Sequence, residues 1–539
     1  MLLNPIKCQA TIADAYLTAV VHFHALRTQP RAYLTAAWWW VRRRRVRARG
    51  QLAPLLSSAP KAYRLWVLRQ DRAGQRRSAP DGHPRIVALV DPGSDGRALA
   101  ETLRSLSAEG VPALVIGSPE TPRLADAAAR IDWDRQPWVM PVVAGDTIAP
   151  GTADAYRAVL HDDSGAQVIY ADDDRLTGRR RRGSPHFKPD WNSELFRHFD
   201  YLTYACIVRS TGAELAALAD TGDWARQLVA NAAQRSAPLH LRKVLHHRRN
   251  RPAPRVAARP FASSADLPPV TVIVPTRNHV ALLRTCLDGV ARTRYPDIDV
   301  VVVDNDSDDP ETLAYLSALD PARYAVLHHR GAFNYSTINN RAVAQARGRL
   351  LCLLNNDIEV IDPSWLATMA VQAMRDDVGA VGAQLLYPDG RIQHAGVVIG
   401  VGNAAGHAHR FLHPDEEGYF RRHALPQFTS AVTAACLLVQ RDRFVAVGGL
   451  DERNFAVAFN DVDLCLRLNQ RGWQSLYEPR ARLIHHESVS RGLDRDEVGA
   501  ARFAGELSAL KRIWSTDTVI DPFHHPQLSR ASERFAVAI

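Results

Sequence analysis

The sequence predicts an α/β protein of two tandem domains with mostly parallel central sheets, preceded by a helical segment rich in aromatic and basic residues. Three observations carry this. Short apolar runs alternate with stretches patterned as amphipathic helices, which implies strand–helix–strand crossovers and parallel pairing. That plan runs twice, over residues 61–250 and again over 270–500, with a Pro-, Ala- and Ser-rich linker at 251–269 between the passes. The 539 residues also exceed what one hydrophobic core organises.

Residues 1–60 stand apart. Residues 33–40 are apolar, end in Trp38-Trp39-Trp40, and run straight into Arg42-Arg43-Arg44-Arg45, Arg47 and Arg49. Aromatic rings beside a basic cluster suit an anionic membrane face. An aromatic helix docked on the body with a solvated basic face fits the same residues equally. In the first domain, 86–90, 113–116, 138–143 and 167–170 read as strands, 98–108 as a helix and 179–182 as a basic loop. In the second, 270–274 and 300–303 read as strands, and Leu282, Leu283, Cys286, Leu287 and Val290 mark one helix face. Residues 339–347 read as a helix and residues beyond 501 as a helical tail.

The run Leu350-Leu351-Cys352-Leu353-Leu354 organises the second domain. It reads as a strand buried on both faces and ends abruptly in Asn355-Asn356-Asp357. Such a strand delivers the residues after it to the carboxyl edge of its sheet, where open α/β folds bind ligands. Asp304 ends the 300–303 strand in the same way. A carboxylate at such an edge suits a divalent cation held against a diphosphate, because hard cations prefer oxygen.

A hydrophobic content of 46% with 23% charged residues is that of a folded globular chain, which excludes a disordered or fibrous protein. The net charge of +10 favours anionic partners. Nucleic acid is not expected, because no stacking platform or known motif accompanies the arginines. The six cysteines are scattered without a CxxC pair and several sit in apolar runs, so they read as buried thiols in a reducing compartment. With no apolar run of membrane-spanning length and no signal-peptide pattern, a cytoplasmic protein is expected, soluble or peripheral at the inner face of the cytoplasmic membrane.

Six stretches then occur in a telling order. They are Val272-Ile273-Val274-Pro275-Thr276-Arg277-Asn278, Val303-Asp304-Asn305-Asp306-Ser307, Leu354-Asn355-Asn356-Asp357-Ile358-Glu359, Tyr387-Pro388-Asp389-Gly390 with Gln393-His394-Ala395-Gly396, Phe459-Asn460-Asp461-Val462-Asp463-Leu464, and His485-His486-Glu487-Ser488. Each alone is weak. Together, over about 230 residues, the set resembles a family-2 glycosyltransferase of the Rossmann-related GT-A fold, in its rhamnosyltransferase-like and galactofuranosyltransferase-like branches. The resemblance implies an inverting, metal-dependent transfer from a nucleotide-sugar donor (dTDP-rhamnose or a UDP-sugar) to a hydroxyl of a growing cell-surface polysaccharide or lipid-linked glycan. It implies that Pro275, Thr276, Asn278, Asp304 and Asn356 hold the nucleotide sugar. Asp357 becomes a ligand of Mg²⁺ or Mn²⁺, with His485 as a further ligand and His486 as the alternative. Asp461 becomes the base that takes the acceptor proton, with Asp463, His394 and Thr433 on the acceptor side. The first acid of the usual metal motif is here the amide Asn355, which leaves fewer charges on the cation.

The first half resembles the same family in damaged form. Ile169-Tyr170-Ala171-Asp172-Asp173-Asp174 and Phe187-Lys188-Pro189-Asp190-Trp191-Asn192 match stretches of family members. The strand ending at Ile116 has no acid where Asp304 stands, the metal motif keeps only Asp146, and the base region keeps only Asp223. A non-catalytic domain is expected. A second active site on Asp146 and Asp223 is the rival reading. A further alternative is a membrane-peripheral scaffold or glycan-binding protein with no catalysis at all.

Overall fold

The computed structural model describes residues 5–73, 85–161, 165–177, 181–219, 221–255, 258, 267–486 and 497–539. Most of the 251–269 linker and Glu487-Ser488 lie outside the described residues. So does 179–180 of the basic loop, whose remaining arginines open a strand at Arg181.

Four helices come first: Pro5–Thr28, Pro30–Val41, Arg45–Ser57 and Ala62–Ala73. The fourth docks this segment on the body. Tyr63 donates its O–H to Asp174 (2.7 Å), and the Trp66 indole N–H donates to Gln527 (3.0 Å).

The first domain contains β1 (Ile86–Asp91), β2 (Ala113–Val115), β3 (Trp138–Val143), β4 (Thr147–Ile148), β5 (Val168–Thr177), β6 (Arg181–His186), β7 (Cys206–Arg209) and β8 (Leu239–Arg248). The sheet runs β2-β1-β3-β7-β5-β8-β4, with β6 beside β5. The second domain contains β9 (Val270–Thr276), β10 (Ile298–Asp304), β11 (Tyr324–His328), β12 (Leu350–Leu354), β13 (Ile358–Val360), β14 (Val378–Leu386), β15 (Ile392–His394), β16 (Val397–Ile399), β17 (Ala405–His407), β18 (Gln427–Thr429), β19 (Cys436–Gln440) and β20 (Gln474–His485). Its sheet runs β11-β10-β9-β12-β19-β14-β20-β13, with β15 beside β14 and β18 beside β20.

The two orders superimpose strand for strand once β11 and β18 are set aside. β1 and β2 take the places of β9 and β10, β3 and β4 those of β12 and β13, β5 and β6 those of β14 and β15, and β7 and β8 those of β19 and β20. The pairing senses match as well. The first strand pairs parallel with its two neighbours in both domains, and the β7 or β19 position is antiparallel on both sides. The two tandem α/β domains are thus a structural repeat. Their sheets are mixed: parallel at one side, then crossed by a strand that runs antiparallel to both of its neighbours.

β12 is the central strand, buried along its whole length. Leu350, Cys352 and Leu354 enter one core, and Leu351 and Leu353 the other, as the two-residue side-chain period requires. Five cysteines (206, 286, 352, 436 and 465) are free and buried.

Two element boundaries differ from the sequence reading. The helix expected at 339–347 runs Tyr335–Val343, because Asn334 caps it by accepting the Thr337 N–H (3.0 Å). The expected helical tail is helical only through Glu497–Trp514; beyond it the chain is irregular but not loose. Leu528 and Phe535 are buried with Trp66, Phe187 and Val398, and Asp190 donates its N–H to the Pro522 carbonyl (2.7 Å).

The halves are joined by buried polar contacts from the stretch Phe187 to Asn192. Asn192 donates its amide to the Phe428 carbonyl (2.8 Å) and accepts the Phe428 N–H (3.1 Å), as a neighbouring strand would. Within the first half, Lys188, wholly buried, anchors this stretch to β5 through Asp173 (2.8 Å) and the Ala171 carbonyl (2.6 Å). An unpaired ammonium could not stay charged there.

Candidate active site

The carboxyl ends of β9, β10 and β12 lie side by side, so their last residues share one rim. Thr276 ends β9, and its hydroxyl accepts the Asn356 amide N–H (3.0 Å). Asp304 ends β10, buried, with the Ser307 N–H on Oδ1 (3.1 Å) and the exposed His328 imidazole against Oδ2 (3.1 Å). Pro275 is buried within β9 itself. Asn278 was expected to line the pocket but does loop work instead. In the left-handed region (φ 53°), it accepts the Asp308 and Asp309 N–H groups, donates to Asp308 and gives its own N–H to Ser307. Its polar atoms clamp the turn after Asp304.

Beside Asp304 sits a residue that sequence reasoning passed over. Asn305 is buried, and neither its amide N–H₂ nor its carbonyl has a hydrogen-bond partner among the described residues. Such a group costs about 1–3 kcal/mol, which a ligand at this rim would relieve. The signal was its place between Asp304 and Asp306 at a strand end.

The next pair is brought together by strand pairing. Ile358 lies opposite His485 in the β13–β20 ladder, and His486 donates its N–H to the Asp357 carbonyl (3.0 Å). His485 Nε2 therefore stands 3.1 Å from Asp357 Oδ1, both side chains buried. His486 turns instead to Glu359 (2.9 Å). An imidazole nitrogen and a carboxylate oxygen about 3 Å apart, at bond lengths of ~2.0–2.2 Å to a metal, fit two positions on one divalent ion. Asn356 is already engaged with Thr276.

Asp461 lies in the first turn of the helix Asn460–Gln470, half-buried. Its carboxylate accepts the Ala434 N–H (3.0 Å), the Val462 N–H (2.8 Å) and the Thr433 hydroxyl. Burial nevertheless pushes its pKa above the usual carboxylate value; the three hydrogen bonds pull the other way. Tyr335, also not foreseen, bonds the same residue, Ala434, whose N–H this acid accepts. Its hydroxyl donates to the Ala434 carbonyl (3.1 Å), and the charges of both Asp461 and Asp357 act on it. An aromatic residue opening a helix reads as core in a sequence, so no pattern marks Tyr335.

Two expected acceptor residues are engaged by other side chains of the protein. Asp463 is two residues from Asp461, hence on the far side of the helix. It is buried, holding Arg467 (2.7 Å) with one oxygen and the Trp514 indole N–H (3.0 Å) with the other. It fastens the C-terminal helix. His394 is fully buried, its Nδ1 2.9 Å from Nδ1 of His407. Burial, then His407 and His485, drives its pKa well below the ordinary value, so it stays neutral.

A cavity of about 240 Å³, lined in part by Val290, Tyr295, Ile298 and Tyr324, opens at the amino ends of β10 and β11, away from this rim. Among the described residues, Asp172, His240 and His525 also bring three ligand atoms within 4.8 Å of one another. In that cluster His240 bonds Asp172 (3.0 Å) and Asp190 (3.0 Å), while His525 Nε2 faces Asp172 Oδ2 at 3.0 Å without a well-formed hydrogen bond. The Gln527 N–H donates to His525 Nδ1 (3.0 Å), so the proton of a neutral His525 sits on Nε2, facing Asp172 at 3.0 Å.

Several known proteins are similar to this chain. Residues 271–428 match the sequence model of glycosyl transferase family 2. The chain is 34% identical over 500 residues to the uncharacterized protein y4gI of Sinorhizobium fredii, covering 84% of this chain and 55% of that one. It is 37% identical over 396 residues to the O-antigen biosynthesis protein RfbC of Myxococcus xanthus, covering 65% of this chain and 31% of that one. A shorter match, 48% over 63 residues, is to N-acetylglucosaminyl-diphospho-decaprenol L-rhamnosyltransferase of Mycobacterium tuberculosis, covering 12% and 20% of the two chains. Among solved structures, the mannosyltransferase PcManGT of Pyrobaculum calidifontis aligns at a TM-score of 0.35 and 20% identity, over 49% of this chain and 68% of that one. The chain thus spans about half the length of the first of these relatives and about a third of the second. Residues 271–428, within the C-terminal half of this chain, thus carry the match to glycosyl transferase family 2.

Proposed function

We propose that the C-terminal domain is an inverting, metal-dependent glycosyltransferase that moves a sugar from a nucleotide-sugar donor to a hydroxyl of a cell-surface polysaccharide or its lipid-linked precursor. The observation that carries the reading is the run of contacts along one sheet edge from Asp304 through Thr276 and Asn356 to Asp357 and His485, with Asp461 and Tyr335 both bonded to Ala434 beside the same strand ends. Asp304 and the unsatisfied Asn305 offer an acceptor and an amide to the nucleoside. Asp357 and His485 would hold Mg²⁺ or Mn²⁺, which when bound offsets the charge of the leaving diphosphate. Asp461, its basicity raised by burial, takes the acceptor proton as the hydroxyl oxygen attacks the anomeric carbon. The rhamnosyltransferase and O-antigen relatives favour dTDP-rhamnose, with UDP-sugars next.

The N-terminal domain braces this site without catalysing. Asp146, in the place of Asp357, is held by Arg248 (3.4 Å) and the Arg249 N–H (2.8 Å). We place the protein in the cytoplasm, at an anionic membrane face. Among the described residues no helix is long and apolar enough to cross a membrane.

A donor-hydrolysis screen across dTDP-, UDP- and GDP-sugars with Mn²⁺ tests the assignment. Turnover of one donor that disappears in Asp461→Asn while nucleotide binding persists is the expected result. Undiminished turnover in that variant removes Asp461 from the mechanism. No nucleotide binding by calorimetry would favour the non-catalytic scaffold.

A further inference from the structure

We propose that the outer face of the first two helices is an interfacial docking surface for an anionic lipid bilayer. Eight of the seventeen large apolar side chains exposed among the described residues lie between Ile12 and Val46, so they are not scattered as ordinary surface apolar residues are. Their spacing makes two stripes. Ile12, Tyr16 and Phe23 recur at i, i+4 and i+11 of the first helix, and Leu34, Trp38 and Val41 at i, i+4 and i+7 of the second. Each set shares one helix face. The first helix is already apolar inward, where Leu17 and Val21 pack on Ala59, Ala62 and Leu65. A helix on an aqueous surface keeps its outer face polar; this one has Phe23 65% exposed, and the next has Val41 81% exposed.

The charge around the stripes selects the partner. Eight arginines stand exposed between Arg27 and Arg49, against a single acid in the first 70 residues, Asp14, which is tied to Arg69 (3.1 Å). The guanidinium of Arg42 lies over the Trp38 ring at 4.8 Å, and those of Arg44 and Arg47 over Trp39 at 5.1 and 5.2 Å. Aliphatic side chains facing outward, indoles at their edge and arginines flanking them match the hydrocarbon boundary, the interface and the anionic head groups in turn. Nucleic acid would use the arginines but would leave Ile12, Leu34 and Val41 unexplained.

This deepens the membrane-face location proposed above and does not depend on sugar transfer. The test is cosedimentation of the full chain with vesicles of phosphatidylcholine containing about one-third phosphatidylglycerol. Binding to these and not to pure phosphatidylcholine is expected, with a blue shift of tryptophan emission. Replacing the four arginines at 42–45 by Gln should weaken partitioning about 100-fold or more. Trp38→Ser with Val41→Ser, both at exposed positions, should weaken it about tenfold or more and abolish most of the blue shift. Wild-type protein that stays in the supernatant at low salt, or variants that bind as well as wild type, would overturn the proposal. So would lipid-free self-association that the Trp38→Ser, Val41→Ser pair abolishes while wild type ignores vesicles, which would assign the face to a second copy. Donor hydrolysis is read separately without lipid: vesicle binding without hydrolysis sinks the transferase reading alone.

Discussion

The loop after β12 and the loop after β3 occupy the same place in two sheets of the same strand order, yet they treat their acid oppositely. In the C-terminal domain Asp357 is followed by a strand paired with the end of β20, and His485 reaches it at 3.1 Å. In the N-terminal domain Asp146 is followed by β4, paired with the end of β8, where Thr147 stands opposite His247. His247 thus holds the position of His485, but it is drawn away to Asp174 (2.7 Å). Arg248 and Arg249 take over Asp146. Arg249 lies so close above Gly145 (φ +97°) that a Cβ there would come within 2.6 Å of its Cδ. Where one domain leaves a carboxylate and an imidazole facing each other, the other fills the slot with a guanidinium. The two acids therefore differ in setting as well as in sequence: Asp146 is held by arginines of its own domain, whereas Asp357 faces an imidazole. The base position repeats the contrast. Asp461 is half-buried with three donors, whereas Asp223 is exposed and makes no capping hydrogen bond.

The largest effect that would break this comparison is at the base. Asp461→Asn should lower the rate of transfer about 1000-fold, within the usual range for removing a general base, while Asp223→Asn leaves it unchanged. Steady-state kinetics on the two variants decides it; equal losses would mean two working sites. Next is the structural role of the first domain. Lys188→Met leaves Asp173 buried with only Arg251 as a close cation, which should cost about 3–5 kcal/mol of stability in urea unfolding. The metal pair comes third. His485→Ala should raise the Mn²⁺ concentration for half-maximal activity at least about tenfold. His247→Ala should leave that concentration alone, and its effect should appear only as about 1–3 kcal/mol of lost stability from the unpaired Asp174 contact.

The legible part of this site is the part whose information is local. The places of Asp304, Asp357 and Asp461 in the fold were legible because each closes or succeeds an apolar run, so the change from apolar to acid marks a strand end or helix start. His485 was legible only through resemblance, since nothing local separates it from His486; the β13–β20 register does that. Asp463 was misread because its partner Trp514 lies 51 residues on, and a helix acid with a distant partner looks like any exposed acid. The C-terminal stretch was misread for a related reason. It has no periodicity, yet His525 and Leu528 are buried by contacts with Asp172 and Trp66, which pattern alone does not foresee.

The smallest effect sharpens the comparison by pH. Burial raises the pKa of Asp461, and raises that of Asp146 to about 6 against the pull of Arg248. For both, protonation is favoured in the folded protein, so each contributes stability that is full below the ordinary Asp value and is lost as pH rises through the raised one. In the proposed mechanism only Asp461 has to lose its proton to work. The acid limb of kcat/KM should therefore lie above the ordinary Asp value of about 4, and Asp146→Asn should leave it where it is. Asp146→Asn should instead flatten the loss of stability between about pH 4 and pH 7, read by urea unfolding at several pH values. An acid limb that moves with Asp146→Asn would tie the N-terminal loop to the chemistry and undo the division of labour between the two halves.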